Sequence, residues 1–349
     1  MPPSREPSPN PAAPNSSPSF EWDPRFWDEK RVLVTGGTGT FGRRLVEILR
    51  RDASPRRLVV FSRDELKQHE MRSALDDARS ATPVEYVIGD IRDRDRLHRM
   101  LEEIDVVIHA AALKHVPVCE SNPMEGVLTN VIGTHNVVEA ALDRRVGRVV
   151  AISTDKAVAP ANLYGATKLV AEKLVVAANG HPHPDSPRLA CVRYGNVLGS
   201  SGSVLPLFRE QRRRGRLTIT DERMTRFWIS VDQGARFVLR CAEQMVGGEV
   251  FVPKIPSMRI ADLAQAVAPE AEIEVTGIRP GEKLHESLIS VDEARQTLEL
   301  DDHYVVTPDQ PWWSADAISG GRPMPDGFTY DSETNPSWLR ADQVGEGNL

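Results

Sequence analysis

A short strand, a glycine-rich loop and a helix follow one another near the start of the chain, and together they constrain its fold more than any other feature. The strand is the apolar run 31–35, glycines stand at Gly36, Gly39 and Gly42, and apolar residues recur at helical spacing from Leu45. Glycines let the backbone turn sharply and approach a pyrophosphate, whose charge the first N–H groups of a helix bind. With both flanks in place, this pattern predicts a dinucleotide-binding site rather than a plain tight turn.

Further apolar runs typical of buried strands recur along the first half of the chain. They cover residues 57–61, 84–88, 105–109, 149–152 and 189–193, with helical patterns between them that include a long helix expected to begin at Asn130. Strands that alternate with helices at this spacing predict an α/β fold, a Rossmann-like doubly wound parallel sheet. Ligands of such sheets gather at the carboxyl ends of the strands.

The regular alternation stops near residue 200. Two polar, turn-rich stretches, 218–229 and 278–286, then lie between short elements, so we expect a smaller C-terminal substrate-binding lobe that closes over the substrate. From about Pro308 the chain is rich in Pro, Asp and Gly, which disfavours regular structure. The predicted organisation is a tail (1–27), a Rossmann domain (28–200), a mainly substrate-binding lobe (201–315) and a C-terminal extension (316–349).

The first 19 residues are mostly Pro, Ser, Asn and Ala. Such a segment buries too little apolar surface to offset the entropy lost on ordering, so we expect disorder in the Pro/Ser-rich tail. Phe20, Trp22, Phe26 and Trp27 follow, and they are suited to anchor the tail against the domain.

Composition excludes several classes of protein. The formal net charge is −7, which disfavours a nucleic-acid partner. No apolar stretch approaches the roughly 18–20 residues of a membrane span, and the N-terminus does not resemble a secretory signal. Cys119, Cys191 and Cys241 form no spaced pair, so neither a metal site nor a disulfide framework is predicted. We therefore expect a cytoplasmic protein without a membrane or nucleic-acid partner.

The end of the second strand predicts which dinucleotide binds. An acidic residue there accepts the adenosine ribose hydroxyl of NAD, whereas arginine accommodates a 2′-phosphate. Here Ser62 and Arg63 come first, Asp64 has the character of a helix N-cap, and Lys67 lies one turn later. This arrangement favours NADP as the cofactor. The alternative is a surface arginine that pairs with Asp64.

Two later strand ends add residues to the same site. Asp90 is placed to meet the adenine amino group and Ile91 to pack on the ring, while the small side chains of Ala110 and Ala111 let the cofactor lie close to the backbone. His109 precedes them within an apolar strand, so we interpret it as a hydrogen-bonded core residue and not as a catalyst.

A cluster of reactive side chains follows the fifth strand. Tyr164 and Lys168 are four residues apart in a helical segment and therefore share a helix face. A nearby ammonium lowers the pKa of a tyrosine from about 10, so Tyr164 is suited to remove a proton from a sugar hydroxyl. The pair alone is a weak signal, since surface pairs are common on helices. The upstream run Ser153-Thr154-Asp155-Lys156 at a strand end favours the catalytic interpretation.

Together these motifs resemble the extended short-chain dehydrogenase/reductase family. Within it they are similar to the inverting UDP-N-acetylglucosamine 4,6-dehydratases of polysaccharide and pseudaminic acid biosynthesis. The resemblance runs from about Lys30 to Trp313 and leaves the proline-rich N-terminus outside. It rests on TGGTGTFG (35–42), FSRDELKQ (61–68), AALKHVP (111–117), the block 153–168, RYGNV (193–197), DERMTRFW (221–228) and RPGEK (279–283).

The resemblance implies a hydro-lyase in which C4 of the sugar is first oxidised. Tyr164 would take the C4 hydroxyl proton, Thr154 would hydrogen-bond that oxygen, and Lys168 would hold the nicotinamide ribose and lower the pKa of Tyr164. Asp155 would act as the acid for the C6 hydroxyl and Lys156 as the base for the C5 proton, which requires the pKa of Lys156 to fall from about 10.4. Retaining dehydratases resemble Thr-Asp-Glu here, so Lys156 indicates C5 inversion.

The resemblance also implies which residues bind the ligands. A UDP-sugar would contact Lys114, Asn196, Arg226, Arg279 and Glu282, with the arginines suited to phosphate. Relatives of this kind are commonly homo-oligomers, and we expect one here. The residues expected to bind the cofactor are Gly36, Gly39, Thr40, Phe41, Gly42, Ser62, Arg63, Lys67, Asp90, Ile91, Ala110, Ala111, Tyr164 and Lys168.

The expected product is a UDP-4-keto-6-deoxy sugar for surface glycan biosynthesis. A nucleotide-sugar 4-epimerase is the nearest alternative, since it needs the same tyrosine, lysine and cofactor but no acid–base pair for C5 and C6. A retaining 4,6-dehydratase acting on another UDP-sugar also remains open. A non-catalytic NADP-binding regulator is a remote alternative, because such proteins often lose the tyrosine or lysine.

Overall fold

The six apolar runs of the first half form one parallel sheet. In the computed structural model, which describes residues 19–75, 82–180, 186–200, 203–314, 317–340 and 343, these strands lie in the order β3-β2-β1-β4-β5-β6. This is the strand order of a dinucleotide-binding doubly wound sheet, in which the direction of strand addition reverses between β1 and β4. The six strands are β1 Arg31–Thr35, β2 Arg57–Ser62, β3 Val84–Ile88, β4 Val106–His109, β5 Arg148–Ile152 and β6 Arg188–Val192.

Helices connect these strands and cover the faces of the sheet. The helix expected from Asn130 begins earlier, at Pro123, whose fixed φ suits a first helical turn. Leu128–Ile132 continues it as a π-helical turn that leads into α7. The helices up to β6 are α1 Pro24–Trp27, α2 Thr40–Asp52, α3 Glu65–Leu75, α4 Arg94–Met100, α5 Val116–Ser121, α6 Pro123–Val127, α7 Gly133–Asp143 and α8 Leu163–Ala177, with 3₁₀ turns at Asp155–Ala157 and Ala178–Gly180.

The chain beyond residue 200 does not form one continuous lobe, which corrects the expected boundary. α10 Val231–Gln244 packs on α2, and β10 Val250–Pro253 extends the sheet in parallel beside β6. Three further strands then add antiparallel edges: β14 Thr297–Glu299, β15 His303–Val306 and β16 Arg322–Pro323. Residues from both halves of the chain therefore complete the Rossmann sheet.

The smaller lobe has an apolar core of its own. Leu205, Phe208, Leu217, Trp228 and Leu263 are buried together there. The lobe is built from β7 Asn196–Val197, α9 Val204–Arg212, β8 Arg216–Ile219, β9 Thr225–Ile229, β11 Ser257–Arg259, α11 Ile260–Val267 and β12 Glu272–Val275. Because β7 follows directly after β6 and pairs with β9, the lobe begins at the carboxyl edge of the main sheet.

The segment after Pro308 has regular structure, contrary to the compositional expectation. Arg322–Pro323 pairs with β14, and Tyr330 is buried on β17 Tyr330–Asp331. β17 pairs with β13 Ser287–Ile289, and the 3₁₀ turn Val291–Gln296 follows β13. The C-terminal part therefore supports the segment that leads into β13.

The N-terminal aromatic residues pack against the main sheet. Phe20 and Trp27 are almost completely buried, the Phe20 and Phe237 rings lie 4.7 Å apart, and Trp27 Nε1 donates to Glu243 Oε1 at 2.8 Å. The aromatic anchoring is therefore confirmed, whereas disorder up to residue 27 is wrong for residues 19–27. Residues 1–18 of the predicted tail lie outside the described residues.

Candidate active site

The glycine loop brings the backbone of three segments into close approach. A Cβ atom at Gly36, where φ is 65°, would lie 2.8 Å from Ala111 Cα, and one at Gly42 would lie 2.6 Å from the Gly36 oxygen. Helix α2 begins at Thr40 after Gly39, whose N-cap position offers no side chain to its N–H groups. The start of this helix and the absent Cβ atoms fit the pyrophosphate of a dinucleotide.

A single cleft of about 1500 Å³ runs from this loop to the smaller lobe. The predicted cofactor residues and the predicted substrate residues all line it, as do Thr154 and Lys156. Asp155 is the one predicted site residue that does not line it. The fold thus brings together residues that the sequence separates by more than 200 positions.

The end of the cleft beside β2 carries two exposed cationic side chains. Arg63 Nη1 lies 3.5 Å from Asp90 Oδ2 and Lys67 Nζ lies 3.0 Å from Asp64 Oδ2, so Arg63 does not make the predicted alternative pair with Asp64. The Ser62 hydroxyl accepts a hydrogen bond from Gln68 Nε2 at 3.0 Å. Asp64 Oδ1 accepts a hydrogen bond from the Lys67 N–H at 3.0 Å at the start of helix α3, and its other oxygen pairs with Lys67 Nζ.

The residues after β5 form a short hydrogen-bonded chain. Thr154 Oγ1 donates to Asp155 Oδ1 at 2.8 Å, and Lys156 Nζ donates to the same oxygen at 3.0 Å. Asp155 is 0% exposed, and its other oxygen, Oδ2, has no hydrogen-bond partner among the described residues. The carboxyl therefore lies behind Thr154 and Lys156 and contacts the cleft through them.

A second buried carboxylate contacts Lys156, and the sequence analysis did not identify it. Glu286 Oε1 lies 3.4 Å from Lys156 Nζ, and Glu286 Oε2 lies 3.8 Å from Lys283 Nζ. Lys283 Nζ also donates to the carbonyl oxygen of Val158 at 2.6 Å. The only available signal was a charged residue directly before the apolar strand 287–289.

The two carboxylates set the charge of Lys156. Burial alone would lower the pKa of the Lys156 ammonium, but Asp155 and Glu286 outweigh burial and raise that pKa above its ordinary value. The expectation of a lowered Lys156 pKa is therefore wrong for the free protein. Lys156 is an ammonium that points at the cleft.

Tyr164 lies on α8 next to this chain and is largely buried. Burial raises the pKa of its phenol to about 12, while the charge of Lys156 and a hydrogen bond with Thr154 act in the opposite direction. The cation that lowers the Tyr164 pKa most is Lys156. Burial also lowers the pKa of Lys168 itself, while the nearby Cys191 and Glu172 side chains act in the opposite direction.

The predicted substrate residues differ in the contacts that they make within the protein. The buried Arg226 guanidinium donates to the carbonyl oxygens of Thr225, Lys283 and Leu284 at 2.7 to 3.0 Å, so it fixes the backbone of the segment before Glu286. The Arg279 backbone N–H donates to Glu282 Oε2 at 3.3 Å. Burial lowers the pKa of Lys114.

His109 is a core residue, as expected from its place in an apolar strand. Its ring nitrogens contact Thr35 Oγ1 at 2.8 Å and Thr134 Oγ1 at 3.0 Å, and burial lowers its pKa to about 3. Across the described residues, His, Cys, Asp and Glu side chains form no group of three able to hold a metal ion. None of the described helices combines the length and apolar character needed to cross a membrane.

Two named relatives cover most of the chain. An inverting UDP-N-acetylglucosamine 4,6-dehydratase of Campylobacter jejuni subsp. jejuni serotype O:2 is 47% identical over 330 residues, which is 92% of this chain and 98% of the relative. A UDP-glucose 4-epimerase of Rickettsia conorii is 40% identical over 289 residues, 80% of this chain and 84% of the relative.

Solved structures show the same fold. Pen from Bacillus thuringiensis superposes with a TM-score of 0.83 at 36% identity, covering 91% of this chain and 97% of Pen. DesIV, a dTDP-glucose 4,6-dehydratase from Streptomyces venezuelae solved with NAD bound, gives a TM-score of 0.63 at 26% identity, covering 73% of this chain and 86% of DesIV.

A family model confirms the resemblance that the motifs carried. The model for the polysaccharide biosynthesis protein family matches residues 32–308, a range that contains the glycine loop, the 153–168 block and the segment with Glu286. The chain therefore belongs to the polysaccharide biosynthesis protein family, on an extended short-chain dehydrogenase/reductase fold.

Proposed function

We propose that this protein is a hydro-lyase that catalyses the 4,6-dehydration of UDP-N-acetylglucosamine with inversion at C5, giving a UDP-4-keto-6-deoxy sugar for surface glycan biosynthesis. The observation that carries the proposal is the group formed by Thr154, Asp155, Lys156 and Tyr164. It combines a phenol for a hydroxyl proton with an amine and a carboxyl for C5 and C6. The dehydratase of C. jejuni, at 47% identity over nearly its whole length, supports the same reaction.

The first step is oxidation at C4, since a 4-ketone acidifies the C5–H bond. The glycine loop and Lys168 would hold a nicotinamide dinucleotide, which when bound would supply the hydride acceptor for C4 and the hydride donor for C6. Tyr164 takes the C4 hydroxyl proton, and Thr154, which hydrogen-bonds the phenol, helps to orient it. Burial disfavours the Tyr164 phenolate, and the positive charge of Lys156 opposes this effect by stabilising the phenolate.

The second step removes water across C5 and C6. Lys156 accepts the C5 proton, the C6–O bond breaks, and the Asp155–Lys156 pair supplies the proton with which the hydroxyl leaves as water. Asp155 acts through Lys156 and Thr154 because its carboxyl does not line the cleft. Lysine at this position, in place of the glutamate of retaining dehydratases, supports delivery of the new C5 proton to the opposite face.

The cofactor in this proposal is NADP. Arg63 and Lys67 are exposed at the end of the cleft beside β2, where cationic side chains suit a 2′-phosphate. Residues 28–200 supply most of the cofactor site, and the parts of 201–315 outside the main sheet supply the substrate walls. A homo-oligomer in the cytoplasm is also part of the proposal, on the resemblance to the family.

A 4-epimerase is the second candidate, supported by the 40% identity with the Rickettsia conorii enzyme. The reactions are distinguished by incubating the purified protein with UDP-N-acetylglucosamine in deuterated water. We expect a product that has lost one water and carries one deuterium at C5, formed with no net consumption of NADP. Unchanged substrate, or conversion to UDP-N-acetylgalactosamine, would contradict the dehydratase.

A further inference from the structure

Lys156 Nζ lies between two buried carboxylates that come from different parts of the chain. Asp155 Oδ1 is 3.0 Å away and belongs to the same turn, whereas Glu286 Oε1 is 3.4 Å away and precedes β13. Asp155 is fully buried, but Glu286 lines the cleft beside Lys156. The two carboxylates therefore differ in their access to the reacting atoms.

We propose that Glu286 is a positioning residue for the dehydration, which holds Lys156 Nζ against the cleft and reversibly takes its proton so that Lys156 reacts as a neutral amine. This inference rests on the proposed function, in which Lys156 is the C5 base. The residue acts through Lys156 and forms no bond with the sugar.

The backbone around Glu286 is fixed on both sides. The Glu286 N–H donates to Ser332 Oγ at 2.9 Å. Lys283 Nζ donates to the Val158 oxygen at 2.6 Å, and Asn162 Nδ2 donates to the Gly281 oxygen at 2.8 Å. The segment that carries Glu286 is therefore tied to the loop that follows Lys156, which keeps the two side chains in register.

Each carboxylate also has one buried oxygen without a hydrogen-bond donor in the described part of the chain, Asp155 Oδ2 and Glu286 Oε2. Glu286 Oε2 lies 3.8 Å from Lys283 Nζ, which is beyond hydrogen-bond distance. Arg226, Lys283 and Tyr164 are the remaining titratable groups near the two side chains.

The proton balance of the step is complete. The Lys156 ammonium passes a proton to the Glu286 carboxylate, and the resulting amine takes the C5 proton while the C5–H bond breaks. The C5=C6 bond forms as the C6–O bond breaks, and one proton from the Asp155–Lys156–Glu286 group leaves with the hydroxyl as water. One proton enters the group and one leaves it, so no external acid or base is needed.

The test compares kcat against pH for the wild-type protein and E286Q. Without the Glu286 carboxylate, the Lys156 proton must leave to solvent before the amine can react. Activity of E286Q should therefore require a higher pH, and the acidic limb of the profile should move up by about 1 pH unit or more. The rate of deuterium exchange at C5 should be about tenfold lower in E286Q than in the wild type, because the loss of Glu286 removes part of the rate enhancement that the general base provides. E293Q is the matched control, since Glu293 is a nearby carboxylate that binds Arg193 and not Lys156; its limb should stay in place.

An unmoved limb in E286Q, or an equal movement in E293Q, would overturn the role of Glu286. If circular dichroism shows that E286Q does not fold, E286D takes its place: the shorter carboxylate should keep the limb and lower kcat. An E286D profile with a shifted limb and unchanged kcat would overturn the proposal. Wild-type protein without dehydrated product would instead overturn the proposed function itself.

Discussion

Arg193 and Glu172 form a bidentate ion pair in the protein interior. Arg193 Nε donates to Glu172 Oε1 at 2.8 Å, and Nη2 donates to Oε2 at 2.7 Å. Glu172 lies on α8, the helix that carries Tyr164, and the same guanidinium also binds Glu293 in the turn after β13. One buried arginine therefore connects the catalytic helix with the segment that supplies Glu286.

Replacement of Glu172 by alanine should destabilise the protein strongly. Breaking a buried pair by removing one partner costs about 3–5 kcal/mol, because the remaining charge stays buried. Urea denaturation measures the loss in the free energy of unfolding. R214A is the control, since Arg214 pairs with Glu210 on the exposed surface and such pairs contribute about 0–1 kcal/mol. Equal losses in E172A and R214A would contradict the assignment.

Replacement of Lys156 by alanine should abolish dehydration while leaving C4 oxidation measurable. General bases contribute about 10²–10⁴-fold to rate, so the dehydrated product should fall by that factor. Oxidation should slow less, because Lys156 affects it only through its charge near Tyr164. The absorbance of the reduced nicotinamide follows the first step, and mass spectrometry follows the product. Full dehydration by K156A would rule out Lys156 as the base.

The strands were predicted within one residue at each end because each is a short apolar run buried inside a parallel sheet. The glycine loop was equally recognisable, since the close approach of Gly36 to Ala111 excludes any side chain. The strands β10 and β15 were not assigned to the main sheet, because nothing local distinguishes a strand of that sheet from one of the smaller lobe.

The pKa shifts at the site were harder to predict than the residues that line it. Lys156 was correctly placed near the reacting atoms, but the direction of its pKa shift was wrong. Two carboxylates raise the pKa: Asp155, which adjoins Lys156, and Glu286, which is 130 positions away and reaches Lys156 only in the folded protein. Likewise, Lys168 shares a helix face with Tyr164, yet the charge that acts on the phenol comes from Lys156 on another segment.

Replacement of Lys168 by alanine should weaken retention of the cofactor. Lys168 is buried on the cleft wall, where it is suited to hold the nicotinamide ribose. We expect the fraction of protein that keeps NADP through gel filtration to fall at least about tenfold, equivalent to 1.4 kcal/mol. K173A is the matched control, because Lys173 lies on the same helix but is exposed. Equal cofactor occupancy in both variants would contradict this role.

Replacement of Arg63 by alanine should reduce the preference for NADP over NAD. The exposed guanidinium of Arg63 lies near Asp90 at the end of the cleft beside β2, and an arginine–phosphate contact is a charge-assisted hydrogen bond of about 1.5–3 kcal/mol. The Kd for NADP should therefore rise at least about tenfold, while the Kd for NAD, which has no 2′-phosphate, should change little. Isothermal titration calorimetry with both dinucleotides gives the two constants. R57A is a suitable control, since Arg57 stands at the opposite end of β2 and pairs with Glu85. A parallel loss of affinity for both dinucleotides in R63A would mean that Arg63 supports the fold of the site and does not select the phosphate.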